Sequence, residues 1–422
     1  MRRPSRLLHL GATEAGEPLC IDYDARKTHM HVLGVSGKGK TYFLEYLIRQ
    51  DIRNGDGLCL IDPHGTLYHS LVAWCAAHPA VVSWDKLILL DASAPGWAFG
   101  FNPLDFGGAS LSFAVDAMAS AVAQVWGGKD LHQTPTLKRV LRNVFYALAE
   151  QGLTLLEAEY LISDLVEHQP VREYLTGRVT DWVCRNQWAS WNAAKPYDRK
   201  EEFRSCANRL ADFVNSPLTR NIVGQQGSVV NFREVMERGG IVLVNLEERR
   251  ELSDDSARLL GTLLTHDLFL QAQSRPEGSR PFYFYIDECG RYLNESIQRI
   301  LDESRKRSLH LILANQNLAQ LREAGETVYK AVMGGAQTKV VFGGGESDDA
   351  DTMVRQVFLD LNLEEPKRSL MRKAVAGQQL VVLEGGGTGR GRTTGRAHAT
   401  ASGYSVSTGP RPNTRVTSRH LK

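Results

Sequence analysis

The stretch HMHVLGVSGKGKTYFLEYLIRQ, residues 29–50, runs from apolar residues through a glycine-rich turn into a helical-looking segment. Glycines at a strand-to-helix junction give up side-chain packing, which makes sense where a ligand must approach the backbone closely. Gly34-Val35-Ser36-Gly37-Lys38-Gly39-Lys40-Thr41 matches G-x-x-x-x-G-K-[ST] at every fixed position, with a strand before it and a helix after it. Such a loop turns its N–H groups inward as an anion nest, and the helix adds its positive N-terminal end. Lys40 would reach the β- and γ-phosphates of a nucleoside triphosphate, and the Thr41 hydroxyl would bind Mg²⁺. Gly34, Ser36, Gly37, Lys38, Gly39, Lys40, Thr41 and Tyr42 are the candidate nucleotide-binding residues.

Outward from this loop, short β-type runs recur at 29–35, 57–62, 86–91, 240–246, 282–287, 309–315, 338–343 and 379–385. Most are continuously apolar, as in strands buried on both faces of a parallel sheet. Helical patterns such as 41–53 and 254–274 separate them, the second opening on acids that suit a helix N-terminus. Alternation of this kind means an α/β fold with a mostly parallel central sheet flanked by helices. Between residues 111 and 225 only helical patterns appear, read here as an inserted all-α domain with Trp182, Trp188 and Trp191 in its small core. The expected division is 1–110 and 226–385 for the two parts of the sheet domain, 111–225 for the insertion and 386–422 for a flexible tail. The tail is rich in Gly, Ser, Thr and Arg with little to bury.

Composition sets further bounds. The 422 residues, 42% hydrophobic, suffice for a large core, and the net charge of +2 sets up no global basic field. After Glu384 there are seven Lys/Arg and no Asp or Glu, so the tail is basic and could grip phosphates or an acidic partner, or simply stay solvated. The six cysteines (20, 59, 75, 184, 206, 289) have no metal-ligand spacing and suit a reducing compartment. No apolar run approaches the roughly 18 residues of a membrane span, and the first residues lack a signal-peptide core. The expectation is a soluble cytoplasmic protein.

A nucleotide-hydrolysing site needs an acid for the metal and a base for the attacking water. FYFYIDEC, residues 282–289, places Asp287 and Glu288 after five apolar residues, at the C-terminal end of a strand, where parallel sheets bind ligands. Asp287 is assigned to the Mg²⁺ sphere and Glu288 to general base. Asp62, in LCLIDPHG, ends an equally apolar strand but has no second carboxylate, so it ranks as a border to the site. Gln316 lies just beyond the strand at 309–315, where an amide could sense the γ-phosphate. Arg305, Lys306 and Arg307 precede that strand, at its opposite end, and so could serve a neighbouring subunit's nucleotide as an arginine finger. They equally suit a solvated helix end, where cations favour the dipole.

Several segments together resemble the HerA/FtsK superfamily of P-loop motor ATPases, most closely HerA-like helicases and the ATPase domains of type IV secretion coupling proteins. They are THMHVLGVSGKGKT, LCLIDPHG, FNPLD at 101–105, TRNIVGQ at 219–225, GGIVLVNL, FYIDECGRY and SRKRSLHLILANQN, spread over residues 26–384. The resemblance implies a RecA-like fold, a hexameric ring with ATP and Mg²⁺ between subunits, and translocation along DNA without sequence preference, expected on duplex. It puts the phosphate-loop lysine on Lys40, the metal-binding hydroxyl on Thr41 and the acidic pair on Asp287 and Glu288. The glutamine sensor falls on Gln316 and the trans-acting arginine on Arg305. The helical insertion resembles the all-α domain of coupling proteins. Coupling proteins usually carry N-terminal membrane helices and HerA helicases a β-barrel; residues 1–25 supply neither, so a stripped motor is expected.

Three functions follow as expectations. The first is an ATP-driven, ring-forming DNA translocase. The second is an ATP-gated scaffold that activates a partner nuclease or other effector, as in anti-phage defence. The third is a soluble coupling ATPase that hands DNA or protein to a secretion channel.

Overall fold

The computed structural model describes residues 7–13, 15–94, 96–107, 109–127, 134–249, 252–293, 297–343, 347–357, 380–384, 389–392, 396–399 and 404–408. Two compact units are present: Tyr23–Gly344, and Met1–Asp22 with Gly345–Lys422.

The small unit contains an antiparallel hairpin of β1 (Leu7–Ala12) and β2 (Pro18–Asp22), with a register shift between His9 and Gly11.

The large unit is a doubly wound α/β assembly. In chain order it starts with α1 (Tyr23–Arg26), β3 (Met30–Leu33), α2 (Lys40–Arg53), β4 (Gly57–Asp62), α3 (Thr66–Ala77) and β5 (Leu87–Asp91). Seven helices follow: α4 (Leu111–Gly127), α5 (Thr134–Ala149), α6 (Ala158–Ile162), α7 (Gln169–Gly177), α8 (Trp182–Ala193), α9 (Pro196–Asn215) and α10 (Pro217–Val223). After α11 (Phe232–Arg238) the alternation resumes with β6 (Ile241–Asn245), α12 (Asp254–Gln273), β7 (Phe282–Ile286), α13 (Ile297–Lys306) and β8 (Leu309–Asn315). Then come α14 (Leu318–Ala324), α15 (Glu326–Gly335) and β9 (Thr338–Val341). The sheet is entirely parallel in the order β5-β6-β4-β7-β8-β3-β9.

Burial explains the strand composition. Every residue of β3, β4, β6, β7 and β8 is buried, so these strands carry continuous Val, Ile, Leu and aromatic runs with no polar face. The edge strands β5 and β9 are less covered, with Leu89 and Val341 exposed. On one face α12 is buried along nearly its whole length, from Ser256 to Ala272, and α4 of the helical stretch packs against it. Ser253 caps α12 by accepting the Ser256 N–H at 3.3 Å, and Asp254 and Asp255 follow in the first turn.

The helical stretch has its own aromatic centre. Trp188 and Trp191 are buried, 4.9 Å apart edge to face, and Trp191 meets Phe203 at the same distance. Trp182, expected in that core, is instead 66% exposed at the start of α8. At about 100° per residue, Trp182 stands roughly 200° around α8 from the buried Cys184, on the side away from Trp188 and Trp191.

At the sheet's N-terminal edge a buried cluster ties three elements together. Arg26 donates to both oxygens of Asp51, at 2.6 and 2.8 Å, and lies over the Tyr283 ring at 3.5 Å. Arg26 also donates to the Tyr285 hydroxyl, which bonds to Asp51 in turn, so α1, the end of α2 and β7 share one charge pair.

The run at 379–385 does not join the parallel sheet. Its strand β10 (Leu380–Glu384) belongs to the small unit and pairs antiparallel with β13 (Tyr404–Thr408), while β11 (Gly389–Arg392) pairs with β12 (Arg396–Ala399). Three of these short strands thus lie in the stretch expected to be a flexible tail, and the rest of 386–422 lies outside the described residues. The small unit also includes α16 (Ser347–Val357).

Candidate functional site

Strand order decides where the site forms. β8 lies between β3, which leads into the glycine loop, and β7, which ends in the acidic pair. Leu33 is in register with Asn315, and Ile286 with Leu313. With neighbouring strands about 4.8 Å apart, the three C-terminal ends stand side by side. Gln316, Lys40 and Asp287–Glu288 are brought together although they are scattered over nearly 280 residues of sequence.

In the loop, Gly37 and Gly39 adopt φ of 77° and 102°, conformations that would strain a side-chain-bearing residue. Gly34 is required for a different reason: a Cβ there would lie 2.7 Å from Phe342 Cβ. The Phe342 ring closes the loop from the β9 side and stacks edge-on with Phe43 at 5.6 Å. Ser36, Gly37 and Lys38 form the exposed rim, Thr41 is half-buried at the start of α2, and Tyr42 is 80% exposed.

Lys40 Nζ bridges the acids, 2.7 Å from Glu288 Oε1 and 3.2 Å from Asp287 Oδ1. Glu288 Oε1 also accepts from Gln316 Nε2 at 2.9 Å, and Oε2 accepts from Gln320 Nε2 at 2.8 Å. Asp287 Oδ1 accepts the Glu288 N–H at 3.0 Å. Glu288 itself holds φ 48° and ψ 50°, left-handed backbone that a non-glycine residue adopts at a cost of about 1–2 kcal/mol.

Charge state follows from these contacts. Burial alone would raise the Glu288 carboxyl, but the Lys40 ammonium and the Gln316 and Gln320 amides outweigh it and hold it below the usual range. Burial likewise disfavours the Lys40 ammonium, yet Asp287 and Glu288 raise it above the ordinary lysine value. A carboxylate that stays ionised next to an anion nest can accept a proton from water. The ammonium is placed to exchange its carboxylate partners for phosphate oxygens.

Asp62 has a different task. Its oxygens accept the N–H groups of His64 and Tyr68, both at 2.9 Å, so it caps the turn into α3. Burial raises its carboxyl, with Asp287 close enough to add to that rise.

Arg305 is exposed at the end of α13, on the sheet edge opposite the loop. Seven residues of β8 separate the two edges, roughly 23 Å at 3.3 Å per residue. Arg307 is committed inside the fold, donating to Arg275 O at 2.8 Å while Arg275 donates to Arg307 O at 3.0 Å.

Sequence reasoning missed Gln320 and Phe342. Gln320 repeats the residue type of Gln316 one helical turn later, a spacing that could have singled it out.

The donor set suits Mg²⁺. The Thr41 hydroxyl and the Asp287 carboxylate would offer hard oxygens to a metal beside the glycine loop. Among the described residues no group of three or more His, Cys, Asp or Glu forms a stand-alone cage. Mg²⁺ characteristically takes one or two protein oxygens and fills its sphere from phosphates and water, so the residues present fit.

Comparisons with known proteins bear on the family and the fold. Residues 8–266 match the family described as the central domain of helicase HerA, and residues 281–357 match one described as the TraM recognition site of TraD and TraG. No curated protein matches. Among solved structures, an unbound form of the bacterial conjugative coupling protein TrwB is similar at TM-score 0.59 and 18% identity, over 84% of this chain and 77% of that one. TrwB in complex with the non-hydrolysable ATP analogue ADPNP gives 0.58 and 19%, over 83% and 78%. VirB4 of Thermoanaerobacter pseudethanolicus gives 0.51 and 10%, over 96% of each chain. At these identities the structural likeness establishes a shared RecA-like P-loop fold.

Proposed function

Because the chain belongs to the family of the HerA helicase central domain, in the HerA/FtsK group of P-loop ATPases related to conjugative coupling proteins, we propose that it is an ATP-hydrolysing motor acting on DNA. The observation that carries this reading is the single cluster of Lys40, Asp287, Glu288 and Gln316 at one sheet edge.

The chemistry follows from the chain's own groups. The N–H groups of 34–41 and the Lys40 ammonium bind the triphosphate, and Thr41 and Asp287 would hold Mg²⁺, which would supply positive charge against the phosphates. Glu288 takes a proton from the water that attacks the γ-phosphorus while the bond to the bridging oxygen breaks and ADP leaves with that oxygen; the Gln316 amide orients the water and the carboxylate. Arg305, remote from its own subunit's loop, reaches the transferring phosphoryl group of a neighbour in a ring, expected to be a hexamer. Phosphate contacts rather than base reading then supply the grip on DNA.

The test is ATP hydrolysis with and without duplex DNA. Hydrolysis is expected to rise with DNA, and Glu288→Gln is expected to lower kcat at least about 100-fold while retaining ATP binding. Undiminished turnover in Glu288→Gln, or indifference to DNA of every length, refutes the reading.

The match of residues 281–357 favours a more specific form of it, a coupling ATPase in which this segment docks a partner protein. Titration of the ATPase with such a partner, against a variant altered on the exposed faces of α14 and α15, separates this form from a free translocase. No helix among the described residues is long and apolar enough to cross a membrane.

A further inference from the structure

The geometry points to Gln320 as a positioning residue for this ATPase reaction: it fixes the Glu288 carboxylate and makes its orientation depend on where α14 sits. The inference rests on the assignment of Glu288 as base.

Gln320 is used at both ends of its amide. Its Oε1 accepts the Gln316 backbone N–H at 2.9 Å, an atom that can only donate, so its Nε2 is the end that faces Glu288 Oε2 at 2.8 Å. The network therefore fixes the amide's orientation. The Gln320 backbone is held as well, its N–H donating to Asn317 Oδ1 at 3.0 Å in the cap of α14.

Glu288 needs such an anchor because its backbone is left-handed and its neighbours must over-determine it. The turn after it is pressed against α14, since a Cβ on Gly290 would lie 2.8 Å from Gln320 O. When phosphate oxygens compete for the Lys40 ammonium, the two glutamine amides are the donors that do not depend on that exchange. Both stabilise the ionised carboxylate.

The far end of α14 is tied to the helical stretch. Gln124 Nε2, on α4, donates to Ala324 O at 3.0 Å. A shift of α4 thus has a direct route, through one short helix, to the group that activates water.

The experiment measures kcat and KM for ATP for Gln320→Met, which keeps length and packing but has no amide donor. Expected are a 10- to 100-fold loss in kcat, the scale seen when outer-shell partners are removed, with KM within about twofold. Unchanged kcat overturns the inference, provided Glu288→Gln is inactive. If Glu288→Gln turns over normally, the base assignment itself falls. Should Gln320→Met fail to fold, Gln124→Ala carries the test: a lowered kcat at unchanged KM supports the link through α14, and wild-type kcat overturns it.

Discussion

At the scale of single residues, the site is held by one cation between two carboxylates. Lys40, Asp287 and Glu288 are each at most 6% exposed, so removing the ammonium leaves two like charges with poor solvation. Glu288's depressed carboxyl contributes stability that is present above its ordinary value of 4.5 and lost as the pH falls through its lower folded value. Lys40, raised above 10.5, contributes stability that is complete below that value and lost as the pH rises through the folded one. Lys40→Met should therefore lose about 3 kcal/mol at pH 7, the scale for breaking a buried ion pair. It should lose much less near pH 4, where the Glu288 carboxyl, deprived of its cation, can protonate. Urea midpoints at both pH values check this. An equal loss at both would mean that lost packing, and not charge, accounts for the effect.

At the scale of elements, α12 carries a group whose burial is not offset by a cation. Asp267 is buried, with Gln271 Nε2 donating to it at 3.3 Å and the Asp105 charge nearby. Burial first, and then Asp105, push its carboxyl up to about 7. A carboxyl raised in the folded state favours folding while it is protonated, so stability falls as the pH rises from about 4 through 7. Asp267→Asn should flatten that slope and raise the melting temperature more at pH 8 than at pH 5. A melting curve that shifts equally at both would place the effect elsewhere. Such a residue shows what the sequence displays and what it conceals. The glycine loop, the acidic pair and the boundaries of α2 and α12 were legible, because each depends on local composition or period. Strand order was not: β8 enters between β3 and β7 by pairing with β3 across more than 280 residues, Met30 with Ile312, and no local pattern encodes such a partner. The apolar run at 380–384 looked like one more sheet strand for the same reason, yet it pairs with 404–408. Gln320 and Asp267 read as ordinary helix residues until the packing is known. The value of Gln320 comes from Glu288, and the pH response of Asp267 from the helices that bury it.

At the scale of the whole molecule, the fold sets the cluster of Lys40, Glu288 and Gln316 and the exposed Arg305 at opposite edges of the sheet. Lys40, Glu288 and Gln316 occupy the C-terminal edge of the sheet, and Arg305 stands exposed at the other edge, about 23 Å away along β8. A guanidinium cannot cross that span, so if Arg305 acts on ATP it must act on another subunit's. Among the three cations before β8, Arg307 is spent on Arg275, which leaves Arg305 and Lys306 facing solvent. This arrangement predicts complementation between two inactive variants. Lys40→Ala lacks a working pocket but keeps its finger; Arg305→Ala keeps the pocket but lacks the finger. Each alone should hydrolyse ATP at a rate reduced by about 10³-fold or more, the scale for losing an arginine finger. In an equimolar random mixture, half the pockets are intact and half the neighbours supply an arginine. About a quarter of the interfaces in a closed ring would then be complete, and activity should recover toward that fraction. The recovery should vanish on dilution below the assembly concentration, whereas wild-type activity per subunit falls over the same range. If the mixture stays as inactive as its components under conditions where the subunits demonstrably associate, Arg305 does not serve a neighbour's nucleotide, and the coupling of assembly to hydrolysis must be sought in other residues.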